Sequence, residues 1–136
     1  MKRLLIVLIL FFSYATYSQT AEEYFDIAYD KAENGDYYGA IADLNKAIEL
    51  DPNDAKAYYN RGLSKGNLKD YYGAISDFNK SIELDPRSIA YYNRGWLKHK
   101  LKDYYGAIAD YNKAIELDPN DAMAALVAQK IFFWVV

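Results

Sequence analysis

Small and apolar residues recur along this chain at helical spacing, and the pattern occurs in three copies. In its first copy the apolar positions lie three and four residues apart: Ala40, Ile41, Leu44, Ala47 and Ile48. Such spacing places them on one face of a helix over 37–50 and predicts that this face is buried. The polar residues between them, including Asp43, are predicted to face away.

Short turn signals divide the chain into pairs of helices. The first pair is predicted at 21–33 and 37–50, the second at 55–68 and 71–84, and a third begins near residue 88. An Asp-Pro step ends each second helix, because the residue before a proline avoids the helical region. The chain is therefore predicted to be all-α.

The residues between the helices are typical of helix ends. Gly35 is predicted to end the first helix in the left-handed conformation. Asp36, Asp70 and Asp103 are each predicted to cap a second helix by accepting from its first free amides. Ser88 is predicted to cap the third pair, where the turn is one residue shorter.

The segment 36–52 is repeated with few changes at 70–86 and 103–119. Its closing prolines lie 34 and then 33 residues apart. A period of this length is typical of supersecondary units that stack, since one helix pair cannot bury its apolar face alone. Stacked units are therefore expected, without a single globular core or catalytic pocket.

Matched positions of the three copies resemble the tetratricopeptide repeat. The resemblance is carried by a large aromatic, small residues, a large apolar residue and a closing proline at fixed places: Tyr24, Tyr58 and Tyr91; Ala28, Gly62 and Gly95; Ala40, Ala74 and Ala107; Leu44, Phe78 and Tyr111; Pro52, Pro86 and Pro119. It implies helix-turn-helix repeats stacked as a short right-handed superhelical solenoid. The three units are 21–54, 55–87 and 88–121 within 19–121.

Two places depart from the family pattern. The place of an apolar leucine holds Ile27 and then Arg61 and Arg94. We expect each arginine to reach an acid on the preceding second helix, which is Asp43 for Arg61 and Asp77 for Arg94. The alternative is an arginine that lies along the surface with its charged end in water. The second departure is a lysine in each unit where the family has a tyrosine.

The resemblance also implies a binding groove lined by the first helix of each unit. Carrying the groove places over one by one gives a set of aromatic, amide and basic residues: Phe25, Tyr29, Tyr59, Asn60, Leu63, Asn67, Tyr92, Asn93, Trp96, His99 and Lys100. The aromatics offer rigid contact area, and Asn60 and Asn93 can hold a peptide backbone. A protein or peptide is the expected partner. The alternative is that several of these aromatics pack on neighbouring helices.

Some members of the family clamp a C-terminal carboxylate. The matching places here are Phe25, Tyr29, Asn60, Ile89 and Asn93, of which only Asn60 keeps the clamp chemistry. We therefore predict that the chain does not bind acidic C-terminal tails through such a clamp.

Composition argues against several other functions. The chain has no cysteine, one histidine and a net charge of −3, and its seven glycines fall at repeat places rather than in a phosphate loop. An acidic chain without a basic block is not expected to bind nucleic acid. We predict no catalysis, cofactor, metal or small-molecule substrate, because converging catalytic partners are missing.

The chain has fifteen tyrosines, and six of them form Tyr-Tyr pairs at the start of the second helices. Tyr37, Tyr71 and Tyr104 are predicted to pack between units. Their successors are predicted to pack while half exposed: Tyr38, Tyr72 and Tyr105. The alternative to packing, for all six tyrosines, is an aromatic surface for a carbohydrate or wall polymer.

The start of the chain differs from the repeats. Lys2 and Arg3 precede an apolar run over 4–12, which small and polar residues follow. This layout is typical of a secretory signal peptide, here 1–18. We predict an exported bacterial protein that is periplasmic or secreted.

The other end departs from the repeats too. Residues 122–136 are predicted to form a partial fourth helix or cap that carries an apolar tail, Ile131–Val136. Any membrane contact is expected through this tail only. It also supports a second hypothesis, a structural or assembly role in the cell envelope.

Overall fold

The computed structural model of the chain describes residues 19–120 and Val127. Its six helices are Ala21–Glu33 (α1), Tyr37–Leu50 (α2), Ala55–Asn67 (α3), Tyr71–Leu84 (α4), Ser88–Lys100 (α5) and Tyr104–Leu117 (α6). The all-α prediction is confirmed, and α3 ends one residue earlier than predicted. The predicted signal peptide 1–18, the tail Ile131–Val136 and most of the partial fourth helix lie outside the described residues. None of the described helices is long and apolar enough to cross a membrane.

Capping at the second helices follows the prediction. The side chains of Asp36, Asp70 and Asp103 accept from the amides three residues on, at 2.9–3.0 Å. The prediction for Ser88 is wrong, because α5 begins at this residue and Arg87 stands at its N-cap without a side-chain hydrogen bond. The shortened turn therefore leaves α5 with a weaker start than the other helices.

In each unit, one residue in the left-handed conformation lies between the two helices. Gly35 has φ of +81°, as predicted, while Lys69 and Lys102 hold the same place with φ of 65° and 66°. This conformation costs a residue with a side chain roughly 1–2 kcal/mol, which glycine avoids. The turn is thus fixed by the packing of the unit rather than by its own residue preference.

The core runs along the stack as a series of small clusters. Ala57 of α3 packs with Leu44 of the first unit, and Leu97 of α5 packs with Phe78 of the second. Each helix therefore contacts its neighbours in the chain, as α1 with α2 and α2 with α3. Stacking of this kind confirms the helix-turn-helix solenoid that the repeat period predicted.

The helices of the second and third units cross at a glycine. A Cβ on Gly62 would lie 3.0 Å from Phe78 Cε1 and 3.3 Å from the Ala74 carbonyl oxygen. A Cβ on Gly95 would lie 3.2 Å from Tyr111 Cε1. These glycines therefore give up helix propensity of about 1 kcal/mol to let an aromatic ring into the core.

The arginine prediction has the wrong partner. Arg61 forms a two-point pair with Asp77 on the second helix of its own unit, with Nε–Oδ2 of 2.9 Å and Nη2–Oδ1 of 2.6 Å. Lys65 joins the same carboxylate at 2.7 Å. The preceding helix α2 supplies an amide instead, since Arg61 Nη1 donates to Asn45 Oδ1 at 2.7 Å.

The third unit repeats this network, and the first unit lacks half of it. Arg94 and Lys98 share Asp110, as Arg61 and Lys65 share their acid. In the first unit only Lys31 reaches Asp43, at 2.6 Å. The expectation that Asp43 faces away is therefore wrong, and the lysine that replaces the family's tyrosine is explained as an ion-pair partner.

The doubled tyrosines follow the prediction only in part. Tyr71 and Tyr104 pack against the cores of their units. Their successors on the outer surface are not half exposed but 76–77% exposed: Tyr38, Tyr72 and Tyr105. These three make little contact with the protein, because they lie in the first turn of each second helix, away from the neighbouring units.

Candidate functional site

Two cavities open on the surface formed by the first helices α1, α3 and α5, which we call the groove. They lie at opposite ends of α3 and α5. Seven of the eleven predicted groove residues line one or the other cavity. The groove is thus a surface with two distinct depressions.

The larger cavity, the N-terminal cavity, has a volume of about 230 Å³ and lies where α3 and α5 begin. Its walls come from all three first helices, with Tyr29 of α1, Tyr59 and Asn60 of α3, and Ile89 of α5. Arg87 also lines it. The cavity combines aromatic and aliphatic walls with charge, as a site for a peptide segment requires.

The smaller cavity has a volume of about 110 Å³ and lies in the second half of α3 and α5. We call it the Gly66 pocket. Its apolar walls are Leu63, Phe78 and Leu97, and Trp96 lies at its edge, 40% exposed. The remaining lining residues are small or amide: Gly62, Gly66, Asn67 and Asn93.

One hydrogen bond links the two cavities. Asn93, which lines the Gly66 pocket, donates from Nδ2 to the hydroxyl of Tyr59, which lines the N-terminal cavity, at 2.9 Å. The Tyr59 ring packs on Phe78 with centroids 5.7 Å apart. Burial raises the pKa of Tyr59 above the ordinary tyrosine value, because the phenolate would lose its hydration. This contact fixes α3 and α5 at the centre of the groove.

Four predicted groove residues line neither cavity. Phe25 packs on the core of the first unit, and Tyr92 packs on Tyr111 with ring centroids 5.5 Å apart. His99 packs on Tyr104, also at 5.5 Å. For these three residues, the structure therefore shows the alternative that was given above: their rings pack on neighbouring parts of the protein.

Lys100, the fourth, is placed differently. Its Nζ lies 5.0 Å from the centroid of the Trp96 ring, within range of a cation–π contact. Among the described residues it forms no salt bridge, whereas Lys98 pairs with Asp110. Lys100 thus adds an unneutralised positive charge beside the Gly66 pocket.

The two asparagines keep part of their hydrogen-bonding capacity. Asn60 donates to the Lys56 carbonyl at 2.9 Å, and Asn93 donates to Tyr59. An amide group has two donors and a carbonyl oxygen. Each asparagine is therefore held in place by one donor while its oxygen receives no bond within residues 19–120.

Sequence reasoning missed several lining residues, of which Arg87 and Gly66 bear most directly on binding. Burial raises the pKa of Tyr59, and the positive charge of Arg87 partly offsets that rise, so the guanidinium lies close enough to act on the tyrosine hydroxyl. Gly66 was read as an ordinary repeat position. A usable signal was available, because the same place holds Ala32 in the first unit and His99 in the third.

Family profiles match most of the repeat region. The Tetratricopeptide repeat profile matches residues 55–88 and 88–121, and the TPR repeat profile matches residues 28–69. These matches cover more than half of the chain, so the chain belongs to the tetratricopeptide repeat (TPR) family. A search of curated proteins gave no significant match.

Solved structures of the same fold include peptide complexes. The first TPR of Spaghetti (RPAP3), bound to the HSP90 peptide SRMEEVD, is 28% identical, with a TM-score of 0.82 over 87% of this chain and 94% of that chain. The second TPR domain of human RPAP3, in complex with the HSP70 peptide SGPTIEEVD, is 26% identical, with a TM-score of 0.77 over 82% and 93%.

A third similar structure is YrrB, described as a TPR protein with an unusual peptide-binding site. It is 27% identical with a TM-score of 0.76, over 84% of this chain and 59% of that chain. The repeat fold and these neighbours define the chain as a protein–protein interaction module.

Proposed function

We propose that the chain binds a peptide segment of another protein in the groove of its first helices. The observation that carries this proposal is the pair of cavities on one groove, joined by the Tyr59–Asn93 hydrogen bond. A segment that crosses this bond reaches both cavities with side chains on either side. A rigid surface of this kind lowers the entropy cost of binding, because its own side chains are already ordered.

Aromatic and amide groups have separate tasks in this binding. Tyr29 and Trp96, 50% and 40% exposed, bury apolar area of the peptide. The oxygens of Asn60 and Asn93 accept from its backbone amides. Such contacts fix the position of an extended chain without demanding a particular sequence.

Charge gives the peptide a direction. The exposed face of α1 carries acids such as Glu22 and Asp26, while Arg87 and Lys100 lie at the two ends of α5. Opposite charges on the peptide would favour one orientation and speed its association. We therefore expect affinity to fall with ionic strength.

The similar structures support a peptide ligand but not a particular one. Two of them hold peptides that end in EEVD. In this chain Phe25, Tyr29 and Ile89 stand at three of the clamp places. We propose that the chain does not bind an acidic C-terminal tail through such a clamp, and that the N-terminal cavity takes an internal segment.

A peptide display library selected on the purified protein tests the proposal. A selected peptide is expected to lose affinity by about tenfold or more with Tyr59→Ala or Trp96→Ala, the size of effect seen at central aromatic contacts. Tyr72→Ala on the outer surface is the matched control and is expected to change nothing. Circular dichroism confirms that each variant is folded. Equal affinity in all four proteins would contradict the proposal.

A further inference from the structure

Gly66 is the next-to-last residue of α3, and no close packing contact requires a glycine there. A Cβ there would meet only Leu97 Cδ2 at 3.8 Å and the Ala74 Cβ at 3.9 Å, which are ordinary contacts. By contrast, a Cβ on Gly62 would come within 3.0 Å of Phe78. Glycine lowers helix propensity by up to about 1 kcal/mol relative to alanine, a value that holds for helix interiors and is smaller in a last turn. At residue 66 no close approach of helices offsets this cost.

The missing side chain leaves the Gly66 pocket open. The other units place Ala32 and His99 at this position, so the repeat frame accepts a side chain there. The pocket's volume of about 110 Å³ is smaller than the apolar cavities of about 150 Å³ that hold benzene in an engineered protein. Its size suits one aliphatic side chain better than a large aromatic one.

Charge beside the pocket favours an acidic neighbour. Lys100 lies over Trp96 at the pocket edge and forms no salt bridge with a described residue. The matched places hold Glu33 and Asn67, so only the third unit has a cation at this place. The other cations of the groove, Lys56 and Arg87, line the N-terminal cavity together with Asp85. A carboxylate next to the inserted side chain would therefore be attracted here and repelled near α1.

We propose that the Gly66 pocket takes the aliphatic side chain of an acidic peptide segment, with a carboxylate of that segment on Lys100. This inference rests on the proposed groove function and names the chemistry of its ligand. Leu63, Phe78 and Leu97 contact the side chain, and the oxygens of Asn67 and Asn93 accept from the adjacent backbone. The shape of the pocket thus determines which peptide side chain binds, and Lys100 favours an acidic residue beside that side chain.

Labelled host–guest peptides test the inference by fluorescence anisotropy. The host is a short glutamate-rich peptide with a C-terminal amide, which removes any contribution of a terminal carboxylate. The guest position holds Leu, Ile, Ala, Trp or Lys. Leu and Ile are expected to bind about tenfold or more tightly than Ala, because the pocket buries a full aliphatic side chain. Trp and Lys guests are expected to bind no better than Ala.

Variants of the protein locate the effect. Gly66→Leu fills the pocket with its own side chain and is expected to abolish the preference for Leu over Ala. Ser76→Ala on the exposed side of α4 is the control, since it also raises helix propensity but leaves the pocket unchanged. Lys100→Gln is expected to lower affinity severalfold and to reduce its dependence on salt.

The outcomes separate this inference from the proposed function. If Gly66→Leu leaves the guest preference intact, or if the Leu guest binds no better than Ala, the pocket inference is wrong. In either case the proposed groove function would still hold if a display-selected peptide lost affinity on Tyr59→Ala and on Trp96→Ala. If no peptide from either source depends on those two residues, both proposals fall.

Discussion

The first and second units solve the same packing problem with different residues. In the first, Ala28 packs with Leu44 in one buried cluster. In the second, Gly62 admits the larger ring of Phe78. The loss of a methyl group on one helix is matched by the gain of a ring on the other, so the changes compensate within the unit.

The ion-pair place shows the same compensation. Where Ile27 replaces the arginine, Asp43 pairs with a single lysine and its side chain is 17% exposed. Where Arg61 is present, Asp77 receives both cations and its side chain is 5% exposed. A more deeply buried carboxylate therefore has more partners, as the cost of burying a charge requires.

Places that vary without compensation identify the functional surface. Ala32, Gly66 and His99 stand at one repeat place, and nothing across from Gly66 grows to fill its space. Ala32 packs on the core of the first unit and His99 packs on Tyr104, so of the three residues only Gly66 leaves its space unfilled. The comparison of units thus separates residues that build the solenoid from residues that are free to serve a ligand.

The largest effect is expected at the buried carboxylate. Asp77→Ala leaves Arg61 and Lys65 without their acid and should lower the free energy of unfolding by about 3 kcal/mol. Asp43→Ala, the matched variant in the first unit, should cost about 1 kcal/mol, because Lys31 is 39% exposed and reaches water. Urea unfolding measures both. Equal costs would show that the two networks do not differ in strength.

A medium effect is expected at the helix crossing. Gly62→Ala should destabilise the chain by about 1–2 kcal/mol, because its Cβ crowds Phe78 more than the gain in helix propensity repays. Combined with Phe78→Leu, which restores the residue pair of the first unit, it should cost less than the two single changes added together.

Gly66, four residues after Gly62, provides the control for this double-mutant cycle of Gly62→Ala and Phe78→Leu. Gly66→Ala meets nothing closer than 3.8 Å and should stabilise α3 by up to about 1 kcal/mol. Strict additivity of Gly62→Ala and Phe78→Leu, or a loss of stability on Gly66→Ala, would contradict the account of these two glycines.

A smaller effect is expected at the aromatic place of the third unit. The hydroxyl of Tyr111 is buried and has no hydrogen-bond partner among the described residues. Tyr111→Phe, which copies Phe78 of the second unit, should therefore stabilise the chain by about 1 kcal/mol at pH 7. The reverse change, Phe78→Tyr, should lower stability by a similar amount. Unchanged stability in both variants would show that the buried hydroxyl carries no cost.

The same variant has a pH signature. Burial raises the pKa of Tyr111 above the value of about 10 for an exposed tyrosine. The folded state then holds the hydroxyl proton of Tyr111 more tightly than the unfolded chain does. This difference adds to the free energy of unfolding in full below pH 10, and the added stability is lost as the pH rises further. Tyr111→Phe should lose less stability than wild type between pH 9 and 11, measured by urea unfolding.

Much of the fold could be predicted from the sequence, because capping and the repeat period act locally. The bounds of α1, α2 and α4 follow from apolar spacing and from caps such as Asp36 and Asp70. The arginine partners could not be predicted in this way. Which second helix Arg61 reaches depends on the rotation of α3 against α4, and that rotation is set by packing at Gly62.

The candidate site shows a similar limit. Groove residues such as Tyr59 and Asn93 were found from their repeat places, because first helices share one orientation in the stack. The hydrogen bond between them and the cavity at Gly66 depend on side-chain conformations and on empty space. An absent side chain has no apolar or charged pattern, so a pocket of this kind is visible only in three dimensions.

The most direct test of the central claim is to map a display-selected peptide onto the protein by NMR. Amide chemical shifts of the labelled protein would be followed through a titration. The account predicts the largest changes along the groove: Leu63, Gly66, Asn67, Asn93 and Trp96. The exposed outer tyrosines Tyr38, Tyr72 and Tyr105 should remain unchanged. Largest changes at these tyrosines, with a silent groove, would contradict the claim that the first helices bind the partner.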